Sequence, residues 1–221
     1  MTNIFMDMEW QNMQKAPKEV RRICHQEVIE IGAVAVNDRG KNAGTFKSFV
    51  KPQYITRISA KISDLTGIST GQVVGAAGFA DVFHEFMGWC SSFEEPVVYS
   101  WSTSDLIQLN DECLLKGVAI GQTEKDIMIG WHDLQKEFNN LIHAEQPTGL
   151  ERAVNLCGYE SDGHKHDAYW DAWNTARIFK ATRDTASFYT TLEKMKEILS
   201  YDAQPITMGS LFDFSTLSLS A

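Results

Sequence analysis

Residues 3–10 of the chain read NIFMDMEW, an apolar run that carries two carboxylates, Asp7 and Glu9, separated by one residue. Side chains alternate along a β-strand, so Asp7 and Glu9 would share one face with Phe5. Two like charges on a largely apolar strand are costly without a compensating cation. Mg²⁺ and Mn²⁺ take hard oxygen ligands of this kind. The segment therefore predicts a strand that presents two metal-ligating carboxylates, with an ordinary strand ending at the surface as the alternative.

Further apolar segments predict the rest of a sheet. Residues 27–37, EVIEIGAVAVN, are almost continuously apolar, which is typical of a strand covered on both faces. A turn at residues 38–40 leads into a third strand at residues 44–51, so three closely linked strands predict an antiparallel meander. Residues 96–101 (PVVYSW) predict a fourth strand, and residues 126–131 (DIMIGW) predict a fifth.

Segments with helical periodicity separate and follow these strands. The predicted helices cover residues 59–65, 79–93, 105–117, 134–143, 168–182 and 187–200. A meander followed by alternating strands and helices predicts an α/β fold, with a mixed five-stranded sheet flanked by helices on both sides. We expect one domain over residues 1–200 and a carboxyl-terminal tail over residues 201–221 whose role the sequence leaves open.

The composition restricts the function classes. The chain has 20 Lys and Arg against 29 Asp and Glu, a net charge of −9. Proteins that coat duplex nucleic acid are usually basic, so this charge argues against broad duplex binding but allows a grip on a strand end. No apolar run approaches a membrane span and no secretory leader is visible, so no membrane association is expected. The four cysteines form no C-x-x-C pair, which favours reduced thiols in a cytoplasmic protein. The oligomeric state stays open, a homodimer included.

Two more carboxylates and a histidine extend the pattern. Asp105 begins a helix after the fourth strand. It is a candidate metal ligand, and the alternative is that its charge only stabilises the amino terminus of that helix. Asp171 lies on an otherwise apolar, aromatic helical face, where a charge without a partner is costly. His166 precedes that helix and can accept a proton from an attacking water near neutral pH, and His164 is a rival for this role.

In combination, D-x-E on the first strand, an aspartate after the fourth strand and H-x4-D on a late helix resemble the DEDDh family of 3′→5′ exonucleases. That family includes ribonuclease T, oligoribonuclease and the proofreading exonucleases of polymerases. The resemblance covers residues 3–182 and is strongest to the subgroup acting on short RNA ends. The stretches that look like this subgroup are EVIEIGAV (27–34), FVKP (49–52), LTGI (65–68), WSTSD (101–105) and GLERA (149–153).

The resemblance implies a ribonuclease H-like fold and two divalent cations, Mg²⁺ or Mn²⁺. Their ligands would be Asp7, Glu9, Asp105 and Asp171, with His166 as the general base. The implied partner is the 3′ end of a single-stranded nucleic acid, which would be hydrolysed to nucleoside 5′-monophosphates. The residues expected to contact this substrate are Met8, Trp10, Leu65, Thr66, Gly67 and Trp101.

Several alternatives stay open at the level of the sequence. Trp10 stands where the family commonly has a small or hydroxyl residue, which leaves sugar and base selection, and RNA against DNA, undecided. Trp10 and Trp101 could stack on bases or be ordinary core residues. A binding module with this fold and little turnover is a second function class, and a metal-dependent enzyme acting on a small phosphorylated metabolite is a third. The complete carboxylate set favours the exonuclease.

Overall fold

The computed structural model describes residues 1–202 of the chain. Its strands are β1 (Thr2–Asn12), β2 (Gln26–Asn37), β3 (Asn42–Phe49), β4 (Pro96–Ser100) and β5 (His132–Asp133). They form one mixed sheet in the order β3-β2-β1-β4-β5. β1 and β3 both pair antiparallel with β2, whereas β4 is parallel to β1 and to β5. The predicted meander and the mixed five-stranded sheet are confirmed.

The predicted helices are present in the predicted order, and the described residues also form helices that were not predicted, such as those over residues 18–23 and 70–74. In chain order the helices are α1 (Lys18–Ile23), α2 (Ala60–Thr66), α3 (Thr70–Val74), α4 (Phe79–Ser91), α5 (Ser104–Lys116), α6 (Gln122–Ile129), α7 (Leu134–Ile142), α8 (Leu150–Leu156), α9 (Ala168–Arg183) and α10 (Thr185–Asp202). No helix in the described part of the chain is both long enough and apolar enough to cross a membrane. α10 includes the first two residues of the expected tail, and residues 203–221 lie outside the described residues.

The prediction of a fifth strand at residues 126–131 was wrong. Most of that segment belongs to α6, and β5 comprises only the two residues that follow Trp131. A strand would place Ile127 and Ile129 on the same face, but Ile127 is buried whereas Ile129 is 82% exposed, so the segment does not follow the strand period. Glu124 also accepts a hydrogen bond from the backbone N–H of Gly121 at 2.5 Å, which caps the first turn of a helix.

The core lies on both faces of the sheet. Ile4, Met6 and Met8 of β1 pack in one apolar cluster with residues of α4 and α5. Phe5, on the opposite face, packs in a second cluster with residues of α7, α8 and α9. All four cysteines are buried and unpaired. Because side chains alternate along β1, Asp7 emerges on the Phe5 face, which is the face that α9 covers.

Candidate active site

The four predicted carboxylates and His166 line one cavity of about 390 Å³. Asp7 and Glu9 come from β1, Asp105 from the first turn of α5 and Asp171 from the first turn of α9. Segments that are separated by up to about 160 residues in the chain therefore meet at the carboxyl end of β1, where the sequence predicts a metal site.

Asp105 is held directly against β1. The backbone N–H of Met8, which lies between the two acidic residues of the strand, donates to Asp105 Oδ1 at 3.2 Å. Only 4% of Asp105 is exposed, so it does not act as a surface charge for the helix dipole alone. The pairing of β1 with β2 shifts at a bulge between Glu9 and Trp10. Bulges locally redirect side chains and are frequent beside active sites.

A glycine on β2 allows the first turn of α9 to lie directly on the sheet. Gly32 is the cross-strand partner of Asp7, and a Cβ atom at Gly32 would collide with the backbone of Ala168 and Tyr169. The Ala168 N–H donates to Glu30 Oε2 at 3.1 Å, which ties the start of the helix to β2. The glycine in the EVIEIGAV stretch therefore permits the close backbone approach that brings Asp171 to the cavity.

His166 sits at the rim of the cavity in a left-handed backbone conformation, with φ of 59°. Its N–H donates to Asp171 Oδ2 at 3.1 Å, and its Nδ1 lies 3.9 Å from Glu9 Oε1. His164 does not line the cavity. One potential ligand atom from each of Glu9, His166 and Asp171 lies within 4.8 Å of the other two, a spacing that one metal ion could bridge.

The carboxylates destabilise one another in their ionised form. Burial and repulsion from Asp171 raise the pKa of Glu9 to about 8, and burial raises the pKa of Asp105 to about 7. Burial and the negative charge of Asp105 raise the pKa of Asp7 well above its ordinary value, and burial also raises the pKa of Asp171. Within residues 1–202, no lysine or arginine forms an ion pair with any of the four. This oxygen-rich, uncompensated donor set fits divalent cations.

A supporting layer behind the cavity was not predicted. Glu30 is buried opposite Glu9 on the neighbouring strand, and Lys47 Nζ of β3 lies 3.4 Å from Glu30 Oε1 and 2.6 Å from Asp167 Oδ2. Asp167 caps α9 by accepting from the Tyr169 N–H at 3.1 Å. A carboxylate inside the apolar stretch of β2 was the signal that could have identified Glu30. No local sequence pattern identifies Lys47, because its ionic partners Glu30 and Asp167 lie on other segments of the chain.

Of the six residues expected to contact substrate, four line the cavity. Leu65 is 40% exposed, as expected of an apolar side chain that faces a ligand site. Trp101 is largely buried, and its Nε1–H donates to the Thr148 carbonyl at 3.0 Å, so only part of its ring faces the cavity. The four are Met8, Trp10, Leu65 and Trp101.

Thr66 and Gly67 do not line the cavity. The Thr66 hydroxyl donates to the Ile62 carbonyl at 2.8 Å, and Gly67 closes α2 in a left-handed conformation. Contact of either residue with a nucleotide stays a prediction. The cavity has six further lining residues that were not predicted: Asn12, Gln26, Ile62, Ser102, Ser104 and Leu150. The last three lie in the WSTSD and GLERA stretches, which were the available signal, whereas the first three lie in no such motif.

Comparison with known proteins gives a family match over residues 4–179 to RNase_T, described as Exonuclease. The chain is 31% identical over 174 residues to ERI1 exoribonuclease 2 of Danio rerio, covering 69% of this chain and 30% of that protein. It is 28% identical over 162 residues to 3′-5′ exoribonuclease 1 of Rattus norvegicus, covering 69% and 45%. It is 24% identical over 191 residues to the probable 3′-5′ exonuclease KapD of Bacillus subtilis (strain 168), covering 86% and 84%. The chain thus spans less than half the length of these two animal relatives.

Solved structures share the fold. The nuclease domain of 3′hExo, described as a DEDDh family member bound to rAMP, has a TM-score of 0.68 at 24% identity, covering 84% of this chain and 94% of that one. S. pombe Pop2p in a Mg²⁺- and Mn²⁺-bound form has a TM-score of 0.62 at 17% identity, covering 84% of each chain. These neighbours confirm the ribonuclease H-like architecture. Because the family match runs from β1 through most of α9, and so includes every element that supplies a carboxylate, the chain belongs to the RNase_T exonuclease family.

Proposed function

We propose that this chain hydrolyses the terminal phosphodiester at the 3′ end of single-stranded nucleic acid and releases nucleoside 5′-monophosphates one at a time. The observation that supports this most directly is the convergence of Asp7, Glu9, Asp105 and Asp171 on one cavity that His166 also lines. A protein without catalytic need for these groups would gain stability by replacing them with apolar residues. Their arrangement therefore favours turnover over a binding module.

Two divalent cations, Mg²⁺ or Mn²⁺, are part of the proposal, with the four carboxylates as their ligands. The donor set fits them because its charges repel one another and have no lysine or arginine partner among the described side chains. When bound, such ions would lower the pKa of water, orient the phosphate and stabilise the departing 3′ oxygen.

His166 is proposed as the general base. Its side chain is about half exposed at the cavity rim, so its imidazole can reach a water that enters with the substrate. The hydrogen bond from its N–H to Asp171 fixes the backbone, and Glu9, 3.9 Å from Nδ1, would stabilise the imidazolium that forms.

The cavity wall suggests how the terminal nucleotide is held. Leu65, Trp10, Trp101 and Leu150 present apolar surface beside the carboxylates, which suits a base or a sugar. The net charge of −9 favours short single strands over duplex. The presence of rAMP in the 3′hExo structure supports a nucleotide at this site. A cytoplasmic location belongs to the same proposal and is supported by the four unpaired cysteines.

The test is hydrolysis of matched 5′-labelled RNA and DNA oligomers by the full chain with Mg²⁺, Mn²⁺ or a chelator. We expect a ladder shortened from the 3′ end, nucleoside 5′-monophosphate as the product, and no reaction with the chelator. Asp7→Asn should reduce the rate by at least about a hundredfold, because it removes a ligand oxygen charge from the site.

The matched control is Asp126→Asn, an exposed aspartate on α6 outside the cavity, which should retain the wild-type rate. A 5′-labelled oligomer of unchanged length after prolonged incubation with manganese would refute the proposal, as would equal rates for Asp7→Asn and the wild type. The use of a trinucleotide and a mononucleotide in parallel separates exonuclease action from hydrolysis of small phosphorylated metabolites.

A further inference from the structure

Glu27 is fully buried on β2 but does not line the catalytic cavity. Its two carboxylate oxygens accept hydrogen bonds from three consecutive backbone N–H groups, those of Gln53 at 2.7 Å, Tyr54 at 2.8 Å and Ile55 at 3.0 Å. Charge-assisted bonds to successive amides define the path of the backbone that supplies them. One side chain of the sheet therefore fixes the start of the loop formed by residues 53–59.

The charge of Glu27 is shared with a second buried carboxylate. Lys116 Nζ of α5 lies 2.9 Å from Glu27 Oε1 and 2.6 Å from Glu112 Oε1. The remaining Glu112 oxygen accepts from the Val28 N–H of β2 at 2.9 Å. Glu27 and Glu112 therefore have the same cationic partner and the same degree of burial, but only Glu27 binds the loop.

Gln11 holds the other end of the same loop. It is the cross-strand partner of Glu27 in the pairing of β1 with β2, and its Oε1 accepts from the Ser59 N–H at 2.8 Å. Ser59 is the N-cap of α2, where its hydroxyl accepts from the Ile62 N–H at 3.3 Å. A cross-strand pair of polar side chains thus clamps residues 53–59 at both ends.

The clamped loop leads directly into α2, which forms one wall of the catalytic cavity. Ile62 and Leu65 of α2 line that cavity together with the carboxylates. Gln11 lies on β1, the same strand that carries Asp7 and Glu9. The hydrogen bond from Ser59 to Gln11 therefore fixes the start of α2 relative to these two proposed metal ligands. Apolar packing of Ile58 and Ile68 on Ile29 also holds this region, so loss of the clamp should shift α2 without detaching it.

We infer that Glu27 and Gln11 are positioning residues that set the affinity of the site for the terminal nucleotide by placing the α2 wall. The inference rests on the proposed exonuclease function. Neither side chain is one of the metal ligands or the proposed general base, so the loss of either should weaken binding of the nucleotide and leave the chemical step nearly unchanged.

The experiment compares Glu27→Gln with Glu112→Gln. Each variant removes one carboxylate charge from Lys116, but only Glu27→Gln disrupts the bonds to residues 53–55. We expect Glu27→Gln to raise KM for a short single-stranded oligomer by about tenfold with kcat within about twofold, the effect of losing one or two hydrogen bonds that position the wall. The Kd for AMP should weaken in parallel, and amide exchange at residues 53–55 should accelerate. Glu112→Gln should change none of the three.

Gln11→Met is the second variant, because methionine has a similar size and offers no oxygen acceptor to the Ser59 N–H. It should also raise KM, and it tests the inference independently if Glu27→Gln fails to fold. Equal KM increases in Glu27→Gln and Glu112→Gln would overturn the inference, as would a fall in kcat at unchanged KM. If the wild-type chain hydrolyses no oligomer, the proposed function fails on its own. The exchange and AMP-binding comparisons then still decide whether the clamp places the wall.

Discussion

At the scale of single residues, His166 combines a strained backbone with a site at the cavity rim. Its φ of 59° is uncommon for a residue with a side chain, although asparagine tolerates this conformation. His166→Asn should therefore preserve the loop while it removes the proton acceptor. We expect kcat to fall by about 10²–10⁴-fold, the usual contribution of a general base, with a small change in the manganese-induced rise in Tm.

His164→Asn is the matched control, because this histidine lies two residues earlier and outside the cavity. It should retain nearly full activity. If His164→Asn loses activity and His166→Asn does not, the base has been assigned to the wrong histidine.

At the scale of elements, the contact between β2 and α9 depends on Gly32. Gly32→Ala would place a methyl group into the backbone of Ala168 and Tyr169, so α9 must move away from the sheet. We expect a loss of at least about 1–3 kcal/mol in unfolding free energy, typical of overpacking, and a loss of activity because Asp171 and His166 move with the helix. Urea denaturation and the exonuclease assay measure both effects.

Gly88→Ala is the control that tests whether replacement of any helix or strand glycine lowers the unfolding free energy and the activity. Gly88 is exposed on α4, and a Cβ there meets nothing within 4 Å. This variant should gain up to about 1 kcal/mol from helix propensity and keep its activity. An active, fully stable Gly32→Ala variant would contradict the close approach of the two backbones.

At the scale of the whole molecule, the acidic cluster links stability to pH and to metal. The pKa of Glu9 in the folded chain, about 8, exceeds its ordinary value of 4.5, so the folded state binds this proton more tightly than the unfolded state. The contribution of Glu9 to stability is therefore fully present below about pH 4.5 and is lost as the pH rises towards about 8. Without metal, we expect Tm to fall over this interval, as calorimetry would show.

Divalent cations should reverse this trend because they bind the deprotonated carboxylates of the folded chain. The rise in Tm produced by manganese should therefore be larger at pH 8 than at pH 5.5. Glu9→Gln removes the titrating group and should flatten the metal-free profile. A metal-free Tm that falls equally steeply in Glu9→Gln would assign the pH dependence to other groups.

Much of the fold and of the candidate site follows from local patterns in the sequence. The apolar run of residues 27–37 and the alternation around Asp7 are properties of neighbouring residues, so they predicted β1 and β2 directly. The D-x-E pair, Asp105 and H-x4-D were recognisable because carboxylates inside apolar segments are costly unless something compensates them. Short elements were less predictable: β5 has two residues, too few to show a period, and the end of the eight-residue helix α6 carries a short apolar run that is also typical of a strand.

Long-range contacts account for the rest. The pairing of Lys47 with Asp167 joins residues 120 apart, and the reach of Glu27 to residues 53–55 depends on how the loop packs on the sheet. No local period encodes such pairs, because their partners become neighbours only when the chain closes on itself. Residue types thus specified the strands and the ligand chemistry of this protein, whereas the bulge after Glu9, the approach of α9 over Gly32 and the placement of α2 arose from packing between segments distant in the chain.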